Sequence, residues 1–448
     1  MLDTAQLRTS VTGTVIGPGD AEYDRARTIT PGGIDRRPAA VVRVADSKDV
    51  AQVLAVARDS GLPLAVRSGG HSIHGVCEGG IVLHVGDLRS FDIDADGRTA
   101  WAGSGLSAGA YTNAAGAHGL ATGFGDTGSV GIGGITLGGG IGFLSRKYGL
   151  TIDSLLAAEV VTADGEVLHV DADNHPDLFW AIRGGGGNFG VVTRVRFRLH
   201  EVPTIVGGML ILPATPEVIA SFVAEAHAAP EELSTIANVM AAPPMPFLPP
   251  EVHGKLVVMA LMVYAGDAEA GQVALAPFRA LATPLVDMLK PMRYPEIYGP
   301  EPEDYHPVSV GRNLFLDDVT VDRAAHILER IQASTAMMSA TQLRVLGGAV
   351  SRVAADGTAY AHRDRRIMAN VAAVFGSPAD AAPHTEWVVG LTAALQDGAG
   401  AYVNFLNEDG EERIHEAYPE STYERLRRVK RRYDPGNLFR LNQNIPPA

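Results

Sequence analysis

Short apolar runs alternating with amphipathic stretches open the chain. Ala39–Val44 reads as a strand, Ser47–Ser60 as an amphipathic helix behind a serine cap, and Pro63–Arg67 as a second strand, giving a βαβ-like start. The pattern continues with strands at Ile81–Val85, Phe91–Asp94 and Thr99–Ala102 and a helix over Ser107–His118. Two apolar runs, Ala158–Thr162 and Glu166–Val170, flank Asp164–Gly165 and predict a hairpin. Pro176–Arg183 reads as a helix and Val191–Leu199 as a strand.

From about residue 203 the character changes. Prolines gather at Pro243–Pro250, and strands at Leu256–Tyr264, Asn313–Asp317, Gln342–Val350 and Ile367–Phe375 alternate with helices at Pro216–Ala228, Val321–Ala333 and His384–Leu395. This predicts a mainly antiparallel sheet with helices on one face. A basic amphipathic helix over 423–432 is stopped by Asp434–Pro435–Gly436 and followed by an extended asparagine-bearing segment. Its apolar positions Leu426, Val429 and Tyr433 mark it as a docked surface helix. No repeat of 20–50 residues is present, which excludes solenoids and propellers.

Composition narrows the partners. At 448 residues the chain exceeds what one core serves, and 46% apolar with 20% charged residues is a globular balance. A formal charge of −14 disfavours nucleic acid and anionic membrane surfaces, so a small molecule is the expected partner. The single cysteine, Cys77, cannot form an intramolecular disulfide, and the first residues carry neither an export signal nor an apolar span; the expected location is cytoplasmic, with no membrane partner.

Glycine, at 51 residues, is the unusual component because it is clustered. The clusters are RSGGHSIHGVCEGG (67–80), GFGDTGSVGIGGITLGGGIG (123–142) and GGGGNFG (184–190). Gly185, Gly187 and Gly190 spell GxGxxG, but a helix precedes them and a strand follows, the reverse of a nicotinamide-binding fingerprint. Glycine runs offer bare backbone N–H groups, and three such nests together point to a large phosphate-bearing ligand gripped at several points. His71 and His74 have no third ligand nearby, so no metal is expected. Taken alone, neither His71 nor Cys77 has a decided role.

Together, RSGGHSIHG (67–75), GSVGIGGITLGGGIGFLSRKYGLTID (128–153), DLFWAIRGGGGNFGVVT (177–193) and YERLRRVKRRYDPGNLFRLNQNI (423–445) resemble the berberine bridge enzyme group of the vanillyl-alcohol oxidase / p-cresol methylhydroxylase FAD superfamily. The length is similar to that of its compact bacterial, hydroxynicotine oxidase-like members. The resemblance covers essentially the whole chain in order and is strongest in the first two hundred and last fifty residues. It implies an α+β, two-domain flavoprotein: an FAD domain of two small α/β subdomains (1–203), a substrate domain with an antiparallel sheet covered by helices (204–400), and a C-terminal segment (401–448) returning to the FAD domain.

The same resemblance implies FAD held covalently through His71. A second link through cysteine falls on Thr127 here, so a single bond is expected. Val130 matches the family's oxygen-reactive members. Contacts to FAD are implied at Arg67, Ser68, Gly69, Gly70, Ser72 and Gly75, at Gly131, Gly133, Gly134, Gly138 and Gly142, and at Gly187 and Val192. Tyr402, Asn404, Asn442 and Asn444 match positions close to the flavin ring, and Tyr402 is the expected catalytic residue. Gln342, Arg344, His362 and Asp364 are the substrate candidates, on expected strands; the acidic and lysine side chains of hydroxynicotine oxidases are absent over Gln342–Leu346. The expected activity is oxidation of a small alcohol, amine or secondary-metabolite intermediate, with dioxygen as second substrate and hydrogen peroxide as product. The alternatives are a flavin dehydrogenase using another acceptor and a non-catalytic FAD-fold binding protein.

Overall fold

The computed structural model describes every residue except Met1, Glu301, Glu303, Ala399 and Asp409. Three large sheets organise it, with a two-stranded pair, Leu120–Ala121 and His200–Glu201, beside them. In the first, β1 (Thr14–Ile16) pairs antiparallel with β2 (Ala40–Arg43), and β2, β4 (Ile81–His84) and β3 (Leu64–Arg67) run parallel in that order. Helix α1 (Ser47–Ser60) covers one face through Val50, Val53, Leu54 and Ala57. Its cap is Asp46, whose carboxylate accepts from the amides of Lys48 and Asp49, and not the expected Ser47. Asp beats Ser here because it lies one residue earlier, in the extended conformation that a cap requires.

The second sheet is wholly antiparallel, with β5 (Phe91–Asp94), β6 (Thr99–Gly103), β7 (Leu155–Val161), β8 (Val167–Asp171) and β9 (Val191–Arg198) in the order β5-β6-β9-β7-β8. The β7–β8 hairpin turns through Gly165, at φ +89°. Helix α2 (Ala108–Gly116) packs beside it through Tyr111, edge-on to Phe91, Phe124 and Phe197.

The third sheet is antiparallel throughout. Its long strands are β10 (Ile205–Pro213), β11 (Leu233–Ala241), β12 (Leu256–Tyr264), β13 (Val308–Leu316), β14 (Met338–Val345) and β15 (Ile367–Phe375), in the order β10-β12-β11-β14-β15-β13. Alternate side chains such as Val258, Leu314, Leu343 and Ala369 form one core with α3 (Pro216–Ala228), α4 (Ala268–Ala280), α5 (Val321–Gln332) and α6 (Ala381–Leu395). The intervening residues, Asn238, Gln342, Arg344 and Met368 among them, therefore line the opposite face.

The expected strand Gln342–Val350 ends at Val345, because Gly347 and Gly348 adopt φ +101° and +58° and a short helix follows at Ala349–Arg352. Strands β10 and β11 and helix α4 were not expected: β10 carries Gly207–Gly208, β11 buries Ser234 and Thr235 among its apolar residues, and α4 tolerates Pro277. The terminal helix α7 (Glu420–Tyr433) places Leu426, Val429 and Tyr433 in the core of the second sheet. Its Lys430 is fully buried against Asp434, at 2.7 Å, and also donates to the carbonyls of Asn188 and Phe439.

Candidate cofactor and substrate site

The turn leaving β3 and the loop before Ile132 meet backbone to backbone. A Cβ added to Gly69 would lie 2.3 Å from the Gly131 nitrogen, and one added to Gly131 would lie 2.2 Å from the Ser68 hydroxyl. Ser68 Oγ donates to the Ser104 carbonyl at 2.6 Å, pinning the turn to the second sheet. His71 rides on this contact, its Nε2 3.0 Å from Ser129 Oγ across the paired loops. Ser72 then caps the short turn 73–75 by accepting from the His74 amide.

The glycines divide into two kinds. Gly133 abuts the Ser104 carbonyl, Gly138 leaves room for the Asn404 amide, and Gly142 lies against the Phe124 carbonyl, so these are required by protein packing. Gly70, at φ +77°, and Gly75 pack near the Arg67 stem. Gly134 and Gly187 face open space, with nothing within 4 Å of an added Cβ, leaving bare backbone for a ligand.

Arg67 departs from its expected role. Its guanidinium turns away from the paired loops to the carbonyls of Ala26 and Thr28 and is 5% exposed. Its backbone and the stem of its side chain remain beside the glycine turn. Cys77 is 3% exposed, and burial pushes its thiol up to about 11, so it is an inert packed residue. Thr127 and Val130 are part-buried in the loop that carries Asp126 and Ser129.

The tail closes the site from the other side. Asn442 donates through Nδ2 to the Gly187 carbonyl at 3.2 Å, while the Oδ1 atoms of Asn442 and Asn444 are sheltered and without a hydrogen-bond partner. Buried amide oxygens normally find a donor. Together with the open faces of Gly134 and Gly187, these two acceptors fit a ligand bearing both hydroxyl or ring N–H donors and phosphates, as FAD does. Val192 is buried in the second-sheet core just beyond the third glycine cluster.

Tyr402 is 2% exposed, and its hydroxyl oxygen receives N–H groups from Gly140 (2.9 Å), Ile141 (3.3 Å) and Asn404 (2.9 Å). Burial raises its pKa; the three donors and the Arg344 charge oppose the rise. Asn404 also donates to the Ile135 carbonyl. Asn313, missed in the sequence, is fully buried and positions this turn, accepting from the Tyr402 amide at 2.6 Å and donating to the Phe405 carbonyl.

Of the four substrate candidates, two are brought together. Arg344 pairs with Asp126 at 2.7 Å, donates to Gln342 Oε1 and to the Ile141 carbonyl, and stacks over Phe405; Gln342 continues the chain to Asn238. The other two lie in the connection before β15 and not on a strand. His362 is buried, gives its Nε2–H to the carbonyls of Glu416 and Ala417, and is held neutral by burial with a pKa near 4. Asp364 is exposed. Its neighbour Arg363 instead makes a buried two-pronged pair with Asp153. Asp126 could have been found from its place inside the second glycine cluster; its partner Arg344, 218 residues away, could not.

Among the described residues no group of three or more His, Cys, Asp or Glu could hold a metal, and no helix is long and apolar enough to cross a membrane.

This fold and loop geometry define an FAD-dependent oxidoreductase. Residues 38–171 match the FAD binding domain family, and residues 401–446 the family described as berberine and berberine like. The (R)-6-hydroxynicotine oxidase of Paenarthrobacter nicotinovorans is 32% identical over 457 residues, covering 98% of this chain and 97% of that protein. An uncharacterized FAD-linked oxidoreductase of Bacillus subtilis, YgaK, is 31% identical, with 98% of each chain covered. Among solved structures, 6-hydroxy-D-nicotine oxidase from Arthrobacter nicotinovorans superposes with a TM-score of 0.86 at 28% identity, covering 98% of this chain and 99% of that one. A chitooligosaccharide oxidase, at 23% identity and TM-score 0.84, shares the fold over 99% of each chain. The chain belongs to the berberine bridge enzyme-like group of the vanillyl-alcohol oxidase / p-cresol methylhydroxylase flavoproteins, and it binds FAD.

Proposed function

We propose that this protein is an oxidase carrying FAD bound covalently through His71 alone, which oxidises a small organic substrate at the expense of dioxygen and releases hydrogen peroxide. The observation that carries the covalent reading is His71 itself: it sits on the contact between the two glycine loops, oriented by Ser129. Cys77 is buried in another environment and position 127 is threonine, which supports one link and not two. When bound, the flavin supplies the hydride acceptor and the site of dioxygen reduction.

The chain's own residues bind, orient and move protons. We assign backbone groups of residues 67–72, 130–134 and 187 to the phosphates and ribityl chain, and the Asn404, Asn442 and Asn444 amides to the ring and its tether. Tyr402 is our candidate for the proton-accepting side chain. Burial keeps its proton in place at rest, while three N–H donors on one phenolic oxygen, more than its two lone pairs can serve, favour the phenolate once a substrate hydroxyl or amine is ready to be deprotonated. We place the substrate against the face carrying Gln342 and Arg344. There the charges of Arg344 and Asp126 compensate one another, which fits a neutral substrate better than a cationic amine.

The test is acid precipitation of the purified protein followed by peptide mass analysis, with peroxide measured on substrate turnover in air. Yellow pellet, FAD mass on the His71 peptide and stoichiometric peroxide are expected. Free FAD in the supernatant overturns the covalent link, and substrate bleaching without peroxide makes the protein a dehydrogenase.

A further inference from the structure

A cavity of about 350 Å³ lies behind the Gly69–Gly70 turn, lined by Glu22, Arg25, Arg43, Arg67, His84 and His306. Arg43, His84 and Arg67 are the last residues of β2, β4 and β3 and stand in register across the three parallel strands, so their side chains share one face. The carboxyl ends of parallel strands are where open α/β sheets gather ligands. Val66 projects from the other face of the same edge strand and is 37% exposed. The cavity and the Val66 side are thus separated by the sheet, with the glycine turn between them.

Charge on this rung is unbalanced. Arg43 pairs with Asp87 at 2.8 Å, and exposed Glu22 and Arg25 offset each other. Arg67 donates only to backbone carbonyls, and no carboxylate pairs with it among the described residues. A buried guanidinium is ordinarily matched by an anion. In a chain of net charge −14, a concave surface with a surplus positive charge is selective by its sign alone.

His84 adds a second requirement. A carbonyl can only accept, so the 3.2 Å contact between His84 Nε2 and the Ser68 carbonyl puts the ring proton on Nε2. The lone pair is then on Nδ1, which is sheltered and has no partner, as does the Nε–H of Arg67. Burial and the neighbouring Arg67 charge push the ring down to about 4 and keep it neutral. Beneath the residues that line the cavity, an N–H donor and a nitrogen acceptor are therefore both sheltered and left without a partner, in a positive surround. Carboxylates and sulfate are acceptors only near neutral pH; a hydrogen phosphate has anionic oxygens and an O–H.

We propose that this cavity binds a protonated phosphate group, its oxygens facing Arg25, Arg43 and Arg67 and its O–H directed to His84. Inorganic phosphate is the smallest such ligand, and the volume leaves room for the organic part of a phosphomonoester, which would bind as its monoanion. Because the Gly69–Gly70 backbone forms one wall and His84 holds the Ser68 carbonyl, the bound anion stiffens the turn that carries His71.

The experiment uses the flavin-loaded protein, with calorimetric titration and thermal melting at pH 7 in sodium phosphate, sodium sulfate or glycerol 3-phosphate, ionic strength being held with chloride. Saturable phosphate binding at least tenfold tighter than sulfate is expected, with a melting rise of about 1–3 °C at ten times Kd. Tighter binding of glycerol 3-phosphate supports an organic occupant and tighter binding of phosphate the inorganic one. The double variant R25Q/R43Q loses at least tenfold in affinity with its flavin absorbance intact, and His84→Ala retains anion binding but no longer prefers phosphate over sulfate. Absence of saturable binding, sulfate binding as tight as phosphate, or unchanged affinity in the double variant overturns the site.

Discussion

The glycine loops, which cradle the cofactor, and the polar face of the third sheet, our proposed substrate face, are built on opposite principles. The loops act through backbone: Gly69, Gly131, Gly138 and Gly142 each lie where a side chain would collide with protein, and Gly134 and Gly187 open the main chain outward. The sheet face acts through side chains, with Asp126, Arg344, Gln342 and Asn238 linked in series across two strands and a distant loop. The first arrangement is rigid and specific for one invariant ligand. The second can be respecified by changing two or three residues without disturbing the fold, which is how a shared cofactor can serve different substrates.

The comparison can be broken most severely at His71. His71→Ala is expected to abolish acid-stable flavin entirely, read by absorbance of the precipitated pellet, while leaving extractable FAD bound if the loops grip it unaided. Next in size, Tyr402→Phe is expected to lower kcat by about 10²-fold or more with the flavin still bound, as for loss of a proton acceptor. Retention of full turnover in that variant removes Tyr402 from the chemistry and leaves it as the scaffold of the Gly140–Ile141 turn.

A matched pair sharpens the contrast between the two kinds of glycine. Gly131→Ala drives a methyl into Ser68 and Gly69 and is expected to cost ~1–3 kcal/mol of stability together with the cofactor. Gly134→Ala meets open space within a short helix and is expected to leave stability unchanged or raised by up to ~1 kcal/mol, while weakening flavin retention. Chemical denaturation and flavin-to-protein ratios distinguish them; equal destabilisation by both would show that Gly134 is a packing glycine after all.

The smallest effect is in acid. His84, His200, His227 and His362 are each pushed from 6.5 to about 4, mainly by burial. Between these limits the unfolded chain takes up protons that the folded protein refuses, so stability is full above 6.5 and falls as the pH drops towards 4. Melting temperature should therefore decline across that window, and His362→Gln should flatten the decline slightly; a curve flat down to pH 4 would contradict the burial of these rings.

Much of the fold was legible in the sequence because periodicity records burial. The runs at 91–94, 216–228, 256–264 and 367–375 appear in the structure with the bounds their patterns give. Strand β11 was missed because it buries Ser234 and Thr235, and α4 because proline normally ends a helix. At the site, the clustering of glycine announced a backbone-built ligand cradle, and the motif set named the flavoprotein family. These are local properties, fixed by residue type and spacing within a few turns of chain.

Only the tertiary structure decided where charged side chains end. Arg67, Arg344 and Arg363 look alike in sequence, yet one grips backbone carbonyls beside a cavity of about 350 Å³, one bridges to Asp126 and one locks onto Asp153. Their partners lie 39 to 218 residues away. A long cation takes whichever acceptor the packed fold brings within about 3 Å, and no local pattern encodes that meeting.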